Sequence, residues 1–203
     1  MSFSDNIRFI DFEISSICNA ACPVCPRNDR GRFTNINQTY WKIDDVIETI
    51  DTDIIKGLRG LSFCGNFGDP MGNPDIVKII KYFKVNNAEL PIWINTNGGI
   101  GSVESYVELA KLGVKIIFGI DGYGDKNELY RVNVKWDKLL KNIIEFSKHC
   151  DMNQLEIQFI MWNETTDQIL PIIGLLKELK KGIIWLRKPY TGGEKTEVYN
   201  IHG

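Results

Sequence analysis

Residues 9–25 have the sequence FIDFEISSICNAACPVC, in which a mostly apolar run leads directly into three closely spaced cysteines. The run over residues 9–14 predicts a buried β-strand, because strands of parallel sheets are apolar over most of their length. Cys18, Cys22 and Cys25 follow at the carboxyl end of that strand. Parallel α/β folds keep their functional residues at this end of the strands, so the stretch predicts the first strand and a site together.

The rest of the chain alternates further apolar runs with segments of helical periodicity. Further strands are predicted near residues 60–64, 91–95, 115–120, 155–161 and 183–187. Apolar residues recur at helical spacing between successive strands, within residues 43–54, 76–83, 103–110, 136–143 and 169–176. Strands that alternate with helices predict an α/β fold with a parallel sheet.

The length of the chain limits how such a sheet is arranged. Parallel strands with intervening helices form either a doubly wound open sheet or part of a barrel. A complete eight-stranded barrel takes about 250 residues, and this chain has 203. We therefore expect a single domain over residues 1–203, folded as a parallel (β/α)6 partial TIM-like barrel.

Composition and charge exclude several classes of protein. Hydrophobic residues make up 43% of the chain, enough to form a core, which excludes a disordered protein. The net charge of −2 argues against a broad nucleic-acid-binding surface. The sequence shows no export signal and no membrane-spanning stretch, so we expect a cytoplasmic protein whose thiols stay reduced.

The five cysteines indicate metal binding rather than disulfides, because an odd number fits a disulfide framework poorly. Three thiolates clustered so tightly favour zinc, copper(I) or an iron–sulfur cluster. A structural zinc site is normally closed by a fourth Cys or His. The remaining Cys and His side chains are Cys64, His149, Cys150 and His202. None of them belongs to a second paired motif, so a reactive cluster with an open position is favoured over structural zinc.

The spacing Cys-x3-Cys-x2-Cys after the first strand resembles the signature of the radical S-adenosylmethionine (radical SAM) superfamily. The resemblance implies that Cys18, Cys22 and Cys25 hold a 4Fe-4S cluster whose remaining iron binds the amino and carboxylate groups of SAM. It also implies that a one-electron reductant, such as a flavodoxin or a ferredoxin, supplies the electron that cleaves SAM to a 5'-deoxyadenosyl radical. That radical then abstracts hydrogen from a substrate.

The turn after the second predicted strand is similar to another motif of that superfamily. The sequence CGNFGDP at residues 64–70 resembles its Gly-Gly-Glu-Pro turn, with Asp69 in place of Glu and Phe67 in place of the first Gly. The resemblance implies that this turn, through Gly68, Asp69 and Pro70, meets the amino group of SAM.

Two further segments resemble motifs at the wall of the SAM pocket. The sequence NTNG at residues 95–98 resembles the Thr-Asn-Gly segment, which implies a place for Thr96 in that wall. The sequence GIDG at residues 119–122 is similar to a Ser-Ile-Asp-Gly element, which implies that Gly119 and Asp121 lie near SAM. Glycine in place of serine removes a hydroxyl that binds SAM in such relatives.

Arg131 lies ten residues after Asp121 and matches an arginine that pairs with the SAM carboxylate in such relatives. A guanidinium suits a carboxylate because two N–H groups can bond its two oxygens. The motifs are closest in style to SPASM and molybdenum-cofactor members of the superfamily. Cys64 and Cys150 are too few to hold the auxiliary cluster of SPASM relatives.

The motifs do not define the substrate, and no catalytic side chain is assigned from them. A peptide or protein is favoured over a small molecule, because a large substrate would cover the barrel mouth of a short chain. Cys64 is a candidate hydrogen donor to a product radical, although a buried structural thiol is the favoured interpretation. The alternatives are a non-catalytic iron–sulfur or zinc binding module and an activase of glycyl-radical enzymes.

Two expectations concern the substrate pocket. The radical chemistry that the resemblance implies needs an apolar, largely dry pocket, and alternation along the strands predicts which side chains face into it. These are Ile94, Phe118, Phe159, Met161 and Trp185. The polar segment at residues 187–193 is expected at the pocket rim, where Arg187 or Lys188 would meet an anionic substrate group, the alternative being a solvated tail.

Overall fold

A computed structural model of the chain describes residues 7–29, 32–33 and 36–188. The strands within these residues are β1 (Phe9–Asp11), β2 (Asn28–Asp29), β3 (Arg32–Phe33), β4 (Gly60–Phe63), β5 (Ile92–Thr96), β6 (Lys115–Gly119), β7 (Leu155–Ile160) and β8 (Ile183–Arg187). β1 and β4 to β8 form one parallel sheet, and β2 pairs with β3 in a small antiparallel ribbon.

The helices cover one face of the sheet and bury its apolar side chains. They are α1 (Ile43–Thr49), α2 (Thr52–Gly57), α3 (Ile76–Asn86), α4 (Val103–Lys111), α5 (Asn127–Tyr130), α6 (Trp136–His149) and α7 (Ile169–Leu179). The ring of Phe118 on β6 is fully buried, with ring centroids 5.8 Å from Tyr106 of α4 and 5.9 Å from Phe146 of α6. No helix in the described part of the chain is long and apolar enough to cross a bilayer.

The order of the strands distinguishes between the two arrangements that the sequence left open. The sheet runs β1-β4-β5-β6-β7-β8, so each strand lies beside the next strand of that sheet along the chain. A doubly wound sheet reverses its strand order at a switch point, and no reversal occurs here. Among the described residues β1 does not pair with β8, so the sheet is an open partial barrel, as predicted.

The first strand is shorter than the predicted run over residues 9–14. β1 ends at Asp11; Phe12 still donates its N–H to the carbonyl of Ser62 in β4 (2.8 Å), but from Ile14 onward the chain bonds to a different segment. Trp41 donates its backbone N–H to the carbonyl of Ile14 (3.0 Å), and Ser15 forms an isolated antiparallel bridge with Tyr40. This turn directs the chain into the cysteine loop. The other five strands of the sheet match their predictions to within one residue at each end.

The apolar stripe over residues 43–54 is divided between two helices rather than forming one. α1 ends before Ile50, and Asp51 then begins α2 by accepting a hydrogen bond from the backbone N–H of Asp53 (2.7 Å). Aspartate is favoured at this N-cap position because its carboxylate accepts a hydrogen bond from a backbone N–H group at the start of the helix.

Candidate functional site

The carboxyl ends of the strands surround a cavity of about 260 Å³. Its walls come from the loop that carries the three cysteines, from the turn after β4, and from the ends of β5, β6 and β7. The predicted residues that line it are Cys18, Cys22, Cys25, Cys64, Gly68, Asp69, Thr96, Gly119 and Arg131. Pro70 and Asp121 are buried outside the lining. Side chains from distant parts of the sequence thus meet in one cavity.

The cysteine loop is shaped by backbone hydrogen bonds and by one buried arginine. Cys25 donates its N–H to the carbonyl of Cys22 (3.1 Å), which closes a turn between two of the cysteines. The guanidinium of Arg27 donates to the carbonyls of Cys18 (3.2 Å) and Ser16 (3.1 Å). Arg27 also lines the cavity, and the sequence motifs did not identify it because it lies outside their spacing.

Burial affects the pKa of two of the three thiols in the free protein, Cys18 and Cys22. It raises the pKa of Cys18 to about 11, and the charge of Asp69 adds to this effect. Burial also raises the pKa of Cys22, while the positive charge of Arg131 opposes the rise. Metal coordination deprotonates a thiol outright, so these thiols become ligands only as the metal binds.

The chemistry of the three thiols fits a 4Fe-4S cluster with one open iron. Cys18, Cys22 and Cys25 are soft donors from a single loop that face the same cavity. No three Cys, His, Asp or Glu side chains within residues 7–29, 32–33 and 36–188 are placed to hold a single metal ion. In a cluster the geometry differs, because each cysteine binds a different iron.

Asp69 joins the turn after β4 to the end of β5. Its fully buried carboxylate accepts hydrogen bonds from the hydroxyl of Thr96 (2.8 Å), the backbone N–H of Asn97 (2.8 Å) and the backbone N–H of Met71 (3.0 Å). Burial raises the pKa of Asp69, and the bond from Asn97 is the main influence that lowers it. All these donors come from the chain itself, so the Asp69 side chain holds the cavity wall in shape.

Gly68 is required by a close approach of two backbone segments. A Cβ atom at this position would lie 1.9 Å from the carbonyl oxygen of Ser15. The neighbouring Asp69 donates its N–H to the carbonyl of Ile17 (2.8 Å), which ties the turn to the start of the cysteine loop. Glycine therefore allows the turn to pack against the segment that carries the cysteines.

Asp121 and Arg131 form an ion pair at the cavity wall. Arg131 lines the cavity, and Asp121 is buried behind it. Nε of Arg131 lies 2.6 Å from Oδ2 of Asp121, and the other oxygen of Asp121 accepts the backbone N–H of Ile160 (2.7 Å). Cζ of Arg131 also lies 5.3 Å from the ring centroid of Tyr130. Asp121 is completely buried and does not line the cavity, so its role is to fix the guanidinium of Arg131.

Gly119 provides the space that this guanidinium occupies. A Cβ atom at Gly119 would lie 2.5 Å from Nη2 of Arg131. Glycine in place of the expected serine therefore has two consequences. It removes a hydroxyl, and it leaves space for the side chain of Arg131 in the cavity wall.

Asn97 is a residue of the site that the predictions did not single out. Its Nδ2 donates to Sγ of Cys18 (3.5 Å) and to Oδ1 of Asn19 (3.0 Å). Asn97 belongs to the NTNG motif at residues 95–98, from which only Thr96 was predicted as a site residue. The motif alone does not show which side chain reaches across to the cysteine loop.

The expectation of which side chains line the pocket was wrong, because it assigned the two faces of the strands the wrong way round. Ile94, Phe118 and Phe159 are fully buried in the core instead of lining the cavity. The cavity side carries the alternate residues, among them Asn95 and Gln158. The helices cover the outer face of the partial barrel, so the largest apolar side chains are buried there, and the inner face carries smaller or polar side chains beside Ile117.

The remaining predicted pocket residues lie outside the cavity lining. Met161 packs against the hydrophobic core. Trp185 is half exposed and donates its indole N–H to Glu156 (3.0 Å). Arg187 ends β8 with an exposed side chain, and residues 189–193 of the expected rim segment lie outside the described residues.

Comparison with known proteins assigns this fold and site. A family model described as the radical SAM superfamily matches residues 12–194. The structure resembles Streptococcus suis SuiB bound to S-adenosylmethionine, with a TM-score of 0.69, 17% identity, and coverage of 95% of this chain and 43% of that chain. It also resembles a histidine-tagged anSMEcpe with bound AdoMet, with a TM-score of 0.70, 15% identity, and coverage of 95% and 53%.

A third similar structure is TYW1 with a lysine-pyruvate adduct bound, with a TM-score of 0.63, 15% identity, and coverage of 90% of this chain and 65% of that chain. The chain thus spans less than two thirds of each of these proteins. A sequence search of curated proteins finds no match. At such low identity the structural likeness establishes the fold, whereas the family model covers most of the sequence. This chain belongs to the radical SAM superfamily, whose members use a 4Fe-4S cluster and SAM.

Proposed function

We propose that this chain is a radical SAM enzyme whose cluster is bound by Cys18, Cys22 and Cys25. The observation that carries the proposal is that the three thiols of one loop share a cavity with Arg131. When bound there, the cluster and SAM supply a one-electron cleavage of SAM that ends in removal of a hydrogen atom from the substrate. The protein binds and orients both groups and limits the access of water.

In this proposal the guanidinium of Arg131 binds the carboxylate of SAM. Asp121 holds the Nε side of that guanidinium at 2.6 Å, so the rest of the planar group is presented to the cavity. A carboxylate matches this geometry because a guanidinium can donate two parallel N–H bonds. Asp121 serves SAM indirectly, as the residue that positions Arg131.

The turn that carries Gly68, Asp69 and Pro70 receives the amino group of SAM through its backbone. The Asp69 carboxylate is engaged by Thr96 and by the N–H of Asn97, so it stabilises the turn and the adjoining wall. Gly68 brings the turn against the cysteine loop. In this proposal the amino-group site therefore lies next to the cluster site.

The substrate in this proposal is a peptide or protein. The described cavity wall includes the side-chain amides of Asn95 and Gln158, which can both donate to and accept from peptide groups. Two of the similar structures hold peptides, namely SuiB bound to precursor peptide SuiA and anSMEcpe with bound AdoMet and Cp18Cys peptide.

The electron that this chemistry needs comes from a one-electron reductant, for which a flavodoxin or a ferredoxin is suited. All five cysteines are free thiols. Free thiols fit a reducing compartment such as the cytoplasm.

Formation of 5'-deoxyadenosine tests the proposed function. The protein is reconstituted anaerobically with iron and sulfide, reduced with dithionite and incubated with SAM. We expect 5'-deoxyadenosine from the wild type and from Cys150→Ala, a buried cysteine outside the cavity, and none from Cys22→Ala. A wild type that binds iron and sulfide yet forms no 5'-deoxyadenosine contradicts the proposal.

The same preparation separates an enzyme from a non-catalytic cluster protein. Cys64 also lines the cavity, where it would be available as a fourth ligand. We expect Cys64→Ala to keep the full iron content and the same electron paramagnetic resonance (EPR) spectrum. Loss of iron from this variant would show that the cluster has four protein ligands and lacks an open iron.

A further inference from the structure

The side chain of Asn97 reaches from the end of β5 to the cysteine loop. Its Nδ2 donates to Sγ of Cys18 at 3.5 Å. The backbone N–H of Ala20 also donates to this sulfur, at 3.4 Å. Cys18 therefore receives one hydrogen bond from within its own loop and one from a different element of the fold.

The orientation of the Asn97 side chain is fixed by its other contacts. Its Oδ1 accepts the backbone N–H of Gly99 (2.8 Å), so the amide must direct Nδ2 toward the cysteine loop. Nδ2 also donates to Oδ1 of Asn19 (3.0 Å), and the backbone N–H of Asn97 is bonded to Asp69 (2.8 Å). Asn97 is only 4% exposed, so water competes little for these bonds.

We propose that Asn97 is a positioning residue that hydrogen-bonds the thiolate of Cys18 in the bound cluster and raises the reduction potential of that cluster. The inference rests on the proposed function, in which Cys18 is a cluster ligand. One-electron reduction adds a negative charge that is shared by the cluster and its sulfur ligands. A donor to one of these sulfurs stabilises the reduced form more than the oxidised form.

Asn97 also connects the cluster site to the predicted SAM site. Asp69 bonds the backbone N–H of Asn97, and Asp69 belongs to the turn that receives the amino group of SAM in the proposed function. The donor to Cys18 is therefore held by the wall of the SAM pocket as well as by the cysteine loop.

A potentiometric titration of the reconstituted full chain without SAM, followed by EPR, tests this role. For Asn97→Ala we expect a more negative midpoint potential than in the wild type. At the midpoint potential of the wild type, the ratio of oxidised to reduced cluster should rise by about threefold to tenfold, where tenfold corresponds to about 59 mV for one electron.

Asn97→Asp provides a second variant that keeps an oxygen for the N–H of Gly99. It should shift the potential further in the same direction, because it removes the donor and adds a negative charge. Asn142→Ala is the matched control, since buried Asn142 donates to the carbonyl of Gly98 (2.7 Å) in the same loop. We expect its potential to equal that of the wild type.

The outcomes distinguish the inference from the proposed function. A wild type that binds no 4Fe-4S cluster overturns the proposed function and this inference with it. A wild-type cluster whose potential is unchanged in both Asn97 variants overturns the inference alone. An equal shift in Asn142→Ala and Asn97→Ala also overturns it, because the effect would then come from the loop rather than from the hydrogen bond.

Discussion

The two ends of the sheet carry cavities of different size and chemistry. The cavity at the carboxyl end has a volume of about 260 Å³ and contains the three motif cysteines. The cavity at the amino end is larger, about 600 Å³, and is lined by Trp93, Lys115, Gln154 and Glu156 among others. Ile117 of β6 lines both cavities. Size therefore does not identify the functional end of this molecule.

The cavities differ in where their polar groups are directed. At the amino end Glu156 is bonded to Lys115 (2.8 Å) and to Trp185 (3.0 Å), so it serves to join neighbouring strands. At the carboxyl end the buried Asp69 and Asp121 hold other groups, which in turn face the cysteines. The buried charges at the carboxyl end thus hold groups that face the cysteines, whereas the charges at the amino end join neighbouring strands.

The largest effect that distinguishes the two ends is loss of the cluster. Cys22→Ala should remove the iron–sulfur absorbance and EPR signal almost completely, because two thiolates cannot hold the cluster. Iron and sulfide analysis after anaerobic reconstitution measures this. Lys115→Met at the amino end should retain wild-type iron content, and equal iron loss in both variants would break the distinction.

A smaller effect is expected on the binding of SAM. Arg131→Gln should weaken SAM binding by about 30-fold or more. It removes the guanidinium that pairs with the SAM carboxylate, and the loss of one partner of such a buried charge pair costs at least about 2 kcal/mol. Equilibrium binding to the reconstituted protein measures the affinity. Circular dichroism checks that the variant is folded, since Asp121 is left without its ion pair. An unchanged affinity in the folded variant contradicts the assigned role of Arg131.

The close approach at the carboxyl end predicts an effect on stability. Gly68→Ala places a Cβ against the backbone oxygen of Ser15, so the free energy of unfolding should fall by about 2 kcal/mol. Gly174→Ala is the control, because Gly174 lies in α7 with nothing within 4 Å of an added Cβ. That change should stabilise the protein by about 0.5–1 kcal/mol. Urea unfolding measures both, and equal values would refute the packing argument.

The smallest effect is expected at the amino end. Glu156→Gln removes a charge from the pair with Lys115, whose side chain is 41% exposed and remains solvated. The amide can still accept the indole N–H of Trp185, so the free energy of unfolding should fall by no more than about 1 kcal/mol. SAM affinity should stay within about twofold of the wild type. A large loss of SAM affinity here would show that the amino end takes part in cofactor binding.

Much of the fold was predictable because its signals are local. Apolar runs and helical stripes predicted all six strands of the parallel sheet. The similar solved structures confirm the fold class, and the family match confirms the pair of cofactors. The division of residues 43–54 into α1 and α2 was missed, since the apolar periodicity continues through the break at Asp51. The shortened first strand was missed because it depends on pairing with the distant Tyr40 and Trp41.

The site was predicted less completely because its contacts join distant segments. The spacing of the cysteines and the order of the motifs placed nine residues around one cavity. They did not reveal Arg27, which bonds the carbonyl of Cys18 within the cysteine loop, or Asn97, whose side chain reaches Cys18 from the end of β5. Strand alternation was recognised, but it does not tell which face the helices cover. The placement of Asn95 and Gln158 on the inner face was missed for that reason.

The central claim is that three cysteines at the carboxyl end hold a cluster whose open iron binds SAM. Electron-nuclear double resonance on the reduced, reconstituted protein tests it most directly, with SAM labelled by ¹⁵N at the amino group and ¹⁷O at the carboxylate. The account predicts hyperfine coupling of both labels to the cluster. A reduced 4Fe-4S cluster that shows coupling to neither label, with SAM in excess, would contradict it.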